Sequence, residues 1–314
     1  MPIDAEPYDV AFASGEVTLA GALAVPEGDG PRPGVVLVGG SGPSDRHNDT
    51  FFPPIRRHLV DSGVAVLSYD KRGVGASSGD WLASTMDDLA ADADAALRFL
   101  RTRPGVRSDA VGLFGHSEGG WVVLRAAAGR DDVAWVVTNS GPGTTPAVQD
   151  RHALLTAVRR DGSATRAEVD AAAETYDRVM AVGRRGGSFA EACAVVEAAE
   201  VPAAFTDFWA DVDERLWRFR ARKQDHDPIP DVCRLRCPHL AVFGAADELV
   251  PVADSLALFG RAACRPGRDR RASLTVEVFP GADHRLGTAA GLAPGYLDAL
   301  ARWIGARTGS RTSA

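Results

Sequence analysis

The chain has 314 residues, 45% of them hydrophobic and 25% charged, with a formal net charge of −7. That balance suits an ordinary globular protein with a sizeable core, and the acidic excess argues against nucleic acid or an anionic membrane as partner. No apolar run approaches the ~18 residues of a membrane span. Met1–Glu6 lacks the basic and apolar segments of a secretory signal, so the cytoplasm is the expected compartment.

From the N-terminal side, Tyr8–Ala13 and Val17–Val25 alternate around Ser14-Gly15, the pattern of a β-hairpin. Apolar runs follow at Val35–Val38, Val64–Tyr69, Val111–Phe114, Trp135–Thr138, His239–Phe243 and Leu274–Phe279. The later runs are nearly continuous, as expected of parallel strands covered on both faces. Helical stretches separate them. Pro53–Ser62 opens on prolines and closes at Gly63. Thr85–Arg103 begins with a capping threonine and acidic Asp87 and Asp88, then places Leu89, Ala93, Ala96, Leu97 and Leu100 on one face. Residues 118–129, Pro251–Gly260 and Pro294–Ala306 complete the set. This alternation predicts an α/β fold: a doubly wound, mostly parallel, eight-stranded sheet with an antiparallel hairpin at one edge.

One region breaks the rhythm. Between about Thr144 and Leu235 no strand pattern occurs, and Arg151–Arg160, Thr165–Val182, Phe189–Ala199 and Pro202–Arg222 all suit helices. The chain therefore divides into a core, 1–143 and 236–314, and a helical lid, 144–235, inserted after the sixth strand. Phe205, Phe208, Trp209, Trp217 and Phe219 recur near helical spacing, either as the packing face of this insertion or as a wall over a site. Phe205, Trp209 and Trp217 are its candidate substrate contacts. The small polar tail Thr308–Ala314 is expected to be disordered.

Chemistry concentrates at Gly115-His116-Ser117-Glu118-Gly119-Gly120, between a buried strand and a helix. A serine there sits on a sharp, strained turn that presents its hydroxyl, and the glycines prevent a Cβ clash where strand and helix come close. A serine hydroxyl needs a base, and the base an orienting acid. On this architecture both come from loops at the carboxyl ends of later strands, acid before histidine. Asp247 is the first carboxylate after the seventh strand, with Glu248 beside it as the alternative. His284 leaves the last strand and is the only histidine beyond His239, so it is the expected base. Asp283 is expected to serve its own loop.

An oxyanion needs two converging N–H donors. The N–H of Glu118, at a helix N-terminus, is one candidate, and the N–H of Ser41 in Gly39–Pro43 is the other. The side chain of Glu118 is expected to face outward or cap its helix. Gly40, Gly42 and His47, at the mouth of the same loop, are further candidate substrate contacts. No metal or organic cofactor is expected. Gly39–Pro43 lacks the nucleotide-binding glycine patterns, Cys233 and Cys237 have no second pair at zinc spacing, and adjacent Asp225-His226-Asp227 do not converge on one ion. Lys71 and Lys223 are the only lysines, a bias attributed to composition.

Ser117, Asp247 and His284 in this order, the loop Gly39–Pro43 and the serine elbow resemble the α/β-hydrolase superfamily. Gly40-Ser41-Gly42-Pro43-Ser44-Asp45-Arg46, Tyr69-Asp70-Lys71-Arg72-Gly73-Val74-Gly75-Ala76-Ser77 and the elbow are similar to bacterial esterases of the serine aminopeptidase-like and dienelactone hydrolase-like branches. The resemblance covers about residues 15–143 and 236–306. One departure is Gly39-Gly40 where many relatives have His-Gly. The resemblance implies a structural role for Asp70–Ser77. It also implies hydrolysis of a small or medium carboxylic ester through an acyl-serine. A thioesterase, an amidase or peptidase, or an acyl-transferring cyclase would use the same three residues, and a non-catalytic binding protein would need none of them. Arg215, Arg218, Arg220, Arg222 and Lys223 are read as a solvated helix face, the alternative being a cradle for an anionic acyl carrier.

Overall fold

A computed structural model describes residues 7–160 and 162–308. The tail beyond Thr308 lies outside the described residues. The hairpin β1 (Tyr8–Ser14) and β2 (Val17–Ala24) turns at Gly15, whose φ of 59° favours glycine. Then come β3 (Arg32–Val38), α1 (Phe52–Asp61), β4 (Ala65–Tyr69), a 3₁₀ turn (Trp81–Ala83) and α2 (Met86–Arg101). β5 (Val106–His116), α3 (Glu118–Ala127) and β6 (Val136–Asn139) lead into six consecutive helices, after which β7 (His239–Gly244), α10 (Val252–Ala263), β8 (Leu274–Phe279) and α11 (Tyr296–Thr308) return to the sheet.

The strands run in the order β1-β2-β4-β3-β5-β6-β7-β8. β1 pairs antiparallel with β2, β2 pairs antiparallel with β4, and every later pair in this sheet is parallel. Two apolar layers cover the sheet. α2, α3 and α10 contribute Leu97, Trp121 and Phe259 to one, and α1 and α11 contribute Ile55 and Ile304 to the other. Gly112 on β5 admits the Trp135 indole, since a Cβ there would stand 2.2 Å from the ring. Helix ends follow local chemistry. Thr85 and Asp88 form a reciprocal capping box at the start of α2.

Between β6 and β7 lie α4 (Pro146–Arg159), α5 (Arg166–Arg184), α6 (Phe189–Glu197), α7 (Ala203–Ala210), α8 (Glu214–Lys223) and α9 (Ile229–Arg234). They share a third apolar cluster built on Leu154, Tyr176, Phe205 and Trp217. Three details differ from the sequence reading. α4 starts at Pro146, capped by Thr145; polar Gln149, Asp150 and Arg151 conceal its first turns from a search for apolar periodicity. The stretch Pro202–Arg222 is two helices, because Asp213 caps the second by accepting from the Leu216 N–H at 2.7 Å. α9 is a further short helix, whose Asp231 accepts from Arg125 of α3 at 3.1 Å.

α8 is docked on the core. Arg215 pairs with Asp80 at 2.5 Å, Arg222 donates to the Leu82 carbonyl, and Phe219 meets Trp81 edge-on with ring centroids 5.2 Å apart. The basic residues expected to form one solvated face are therefore divided. Arg218 remains exposed beside Glu214, while Lys223 turns inward with a side chain 10% exposed. Among the described residues no helix is long and apolar enough to cross a membrane.

His239 opens β7 fully buried, its Nε2 2.8 Å from the Thr138 hydroxyl and its ring edge-on to Phe259. Burial, and secondarily Arg268, lower its pKa from 6.5 to about 3. The unfolded chain takes up this proton near the ordinary value, and the folded chain does not until about 3. The stabilising contribution is thus whole above 6.5 and is lost as pH falls towards 3. Replacing His239 with Gln is expected to flatten the fall in stability between about pH 6 and about pH 4 by roughly 1.4 kcal/mol per pH unit. Urea denaturation at several pH values checks this, and parallel slopes for both proteins would refute it.

Candidate active site

Ser117 links β5 to α3 with φ 54° and ψ −121°, a conformation a non-glycine residue adopts only when its surroundings enforce it. The Ser117 N–H donates to the Asn139 carbonyl at 2.9 Å, and the Gly120 N–H donates to the Ser117 carbonyl at 2.8 Å. The glycines answer to close backbone approach. A Cβ on Gly119 would lie 2.4 Å from the Val38 carbonyl oxygen, and one on Gly120 would lie 2.6 Å from Gly141 Cα.

β7 and β8 are neighbours, so the loops leaving their ends meet. His284 Nδ1 stands 2.8 Å from Asp247 Oδ2, while Asp247 Oδ1 accepts from the N–H groups of Leu249 and Val250 at 2.8 and 3.0 Å. Three acceptor contacts fix that carboxylate, whose side chain is fully buried. Because a carboxylate only accepts, Nδ1 is the donor, which leaves Nε2 as the lone-pair nitrogen of the neutral tautomer. Glu248 points elsewhere, to Arg160 at 2.7 Å. Asp283 Oδ1 accepts from the Arg285 and Gly287 N–H groups, both at 2.8 Å, and Arg285 reaches Asp49 at 2.7 Å. Asp283 therefore shapes the loop that carries His284.

His116 lies between Phe51 and His284, with ring centroids 4.5 and 5.0 Å away. Burial, then the His284 and Arg285 charges, hold its pKa well below the ordinary imidazole value. Its Nδ1 is 3.4 Å from the amide nitrogen of Asn139, whose oxygen accepts from the Tyr296 hydroxyl at 2.8 Å. A neutral imidazole thus fills the space between the end of β5 and the loop that carries His284. The Ser117 hydroxyl itself makes no hydrogen bond to the described residues.

The loop after β3 packs against the elbow, since a Cβ on Gly40 would come 3.3 Å from Ser117 Cβ. Gly40 is buried, Ser41 exposed and Gly42 has φ 80°. Neither the Ser41 N–H nor the Glu118 N–H has a protein acceptor among the described residues. His47 is half-buried, with its N–H donating to Asp45 Oδ1 at 2.9 Å. Phe205 and Trp217 are 1% and 2% exposed within the insertion's own cluster. Trp209 packs against that cluster, its ring 6.0 Å from Trp217 and 6.2 Å from Phe189. Asp45 and Arg46 pin the loop: Arg46 donates to Asp70 and Asp9.

The Glu118 side chain contradicts the outward orientation expected for it. It is fully buried, with Oε1 accepting from Lys71 Nζ at 2.8 Å and Oε2 contacting Lys223 Nζ. Burial alone would raise its pKa, but Lys223 and Lys71 outweigh that and hold it well below the usual carboxylate range. The two lysines of the chain thus meet at one carboxylate beside Ser117. Their rarity in an arginine-rich sequence was the available signal, and it does not reveal that they converge.

Among the described residues no group of three or more His, Cys, Asp or Glu side chains forms a metal-ligand set. Residues 31–167 match the family model described as serine aminopeptidase, S33. Esterase EstD of Thermotoga maritima is 34% identical over 105 residues, which are 32% of this chain and only a quarter (25%) of that protein. Two solved structures share the architecture over nearly the whole length. An esterase of Pyrococcus furiosus aligns with TM-score 0.61 and 18% identity over 97% of this chain and 91% of its own. The α/β-hydrolase GrgF of Penicillium sp. sh18 aligns with TM-score 0.63 and 20% identity over 96% of this chain and 99% of its own. By its sheet order and these likenesses, the chain has the α/β-hydrolase fold.

Proposed function

We propose that the protein hydrolyses a carboxylic ester of a small or medium organic substrate, with Ser117 as nucleophile, His284 as base and Asp247 as orienting acid. The observation that carries this reading is the 2.8 Å Asp247–His284 contact, with the His284 ring 5.0 Å from that of His116, the residue before a serine held at φ 54°. His284 Nε2 takes the Ser117 proton as Oγ attacks the ester carbonyl. The tetrahedral oxyanion settles on the N–H groups of Ser41 and Glu118. Collapse expels the alcohol with the proton returned by His284, and a water activated by the same imidazole then releases the acid. Contacts of this kind are commonly loose until substrate closes the site, which accommodates a Ser117 hydroxyl without a bond here. The esterases among the similar proteins support an ester over other acyl compounds. The helical insertion 144–235 would act as the lid that selects the acyl and alcohol groups.

The test is labelling by a fluorophosphonate probe, with the modified residue identified by peptide mass spectrometry, beside a panel of aryl esters, thioesters and anilides of graded acyl length. Labelling at Ser117 with ester turnover is the expected result. Absence of both would leave a binding protein as the better account. Faster turnover of thioesters than of matched esters would move the assignment to a thioesterase.

A further inference from the structure

Lys71 leaves the end of β4 and is buried, with three N–H donors and three acceptors. Its Nζ lies 2.6 Å from the Gly40 carbonyl oxygen, 3.0 Å from that of Gly42 and 2.8 Å from Glu118 Oε1. The ammonium is thereby saturated. In a trans peptide the carbonyl of one residue and the N–H of the next point in opposite directions. Holding the Gly40 carbonyl on Lys71 therefore turns the Ser41 N–H away from Lys71. The third contact ties the same ammonium to the side chain of Glu118, the residue that carries the other unpartnered N–H. The segment Asp70–Ser77, a structural turn by resemblance, contributes this group.

Lys223 reaches the same carboxylate from α8 of the insertion but contacts neither loop carbonyl. Its ammonium lies 4.5 Å from the centre of the Phe219 ring. The two lysines thus share a counter-ion and differ in what else they hold. Ionised together, the three groups carry one net positive charge behind the Gly39–Pro43 loop and the start of α3.

We propose that Lys71, through its bonds to Gly40, Gly42 and Glu118, is the positioning residue that aims the Ser41 and Glu118 N–H groups at the oxyanion, with Lys223 serving to tie the insertion to the same carboxylate. This rests on the hydrolase reading above. It adds a residue that touches no reacting atom and acts through the loop that does.

Comparing Lys71→Met with Lys223→Met tests it. Each variant removes one positive charge and leaves Glu118 one lysine, so charge balance and loss of an ion pair are matched. Lys71→Met is expected to lower kcat on the best ester by about 10²-fold, comparable to losing one oxyanion donor, with KM within about threefold. Lys223→Met is expected to lower kcat far less, by under about threefold on the same scale. Equal kcat losses in the two variants would overturn the proposal, as would wild-type kcat in Lys71→Met. Amide exchange gives a readout independent of turnover. The Gly40 N–H donates to Asn48 and the Ser44 N–H to Gly42, and both are expected to exchange faster in Lys71→Met but not in Lys223→Met. Unchanged exchange in Lys71→Met overturns the proposal even if the wild type hydrolyses esters. Faster exchange in a protein that hydrolyses none and takes no probe sustains the support role of Lys71 and overturns only the hydrolase reading. If Met at 71 prevents folding, as judged by thermal melting, Lys71→Gln takes its place under the same criteria.

Discussion

Ser117→Ala is expected to slow ester hydrolysis by about 10⁶-fold and abolish fluorophosphonate labelling, while the melting temperature stays within a few degrees of wild type. The size follows from what the hydroxyl alone supplies. On the proposed mechanism no acyl-enzyme forms without it, and the residual rate comes from substrate held against the two proposed N–H donors. His284→Ala is expected to cost about as much, because a serine without its base is not activated. The double variant should be no slower than either single one, since the two residues act as one unit. Asp247→Asn should cost about 10⁴-fold by presenting an amide where Nδ1–H needs a carboxylate, which favours the wrong imidazole tautomer. Initial rates with a single aryl ester, measured on the four variants beside wild type, check the series. A Ser117→Ala variant that retained a tenth of wild-type activity would remove the acyl-serine from the mechanism altogether.

What the sequence made legible follows from where the physics is local. The eight strands could be read because β3 to β7 are covered on both faces, so nearly every residue must be apolar and the pattern needs no partner to be recognised. The elbow could be read because Gly115 answers to backbone atoms of Gly119 and Gly120 within the turn itself. Asp247 and His284 could be paired because parallel neighbours such as β7 and β8 send their loops out on the same side. The orientation of Glu118 could not. A carboxylate in the first turn of a helix ordinarily serves the helix dipole in water, and only the arrival of lysines from 47 residues before and 105 residues after makes an inward rotamer stable. The break between α7 and α8 was hidden for a related reason. Phe205, Trp209 and Trp217 keep helical spacing across it, so no loss of periodicity marks the place where Asp213 caps the start of the second helix.

Gly115→Ala is expected to destabilise the protein by about 3 kcal/mol or more, lowering the melting temperature by at least about 4 °C or preventing soluble expression. A methyl group there would stand 2.0 Å from the Gly119 carbonyl oxygen, 2.3 Å from its carbon and 2.7 Å from the Gly120 nitrogen. All three are backbone atoms at the start of α3, so no side chain can swing away to make room. Relief requires moving α3 from the sheet, yet a Cβ-free Gly119 holds α3 as close to Val38 and Gly39 on the other side. The strained Ser117 lies between these two contacts, so a shift that relieved the methyl group would also release its backbone and misplace its hydroxyl. Gly305→Ala supplies the contrast. That residue is exposed in α11 with no heavy atom within 4 Å of a built Cβ, and the change should raise stability by about 0.5–1 kcal/mol through helix propensity. Opposite signs from one added methyl group, read as thermal melts of the two variants beside wild type, would tie the cost at 115 to close packing at the elbow. A Gly115→Ala protein that melted with wild type would mean that strand and helix lie further apart there than the strained geometry of Ser117 requires.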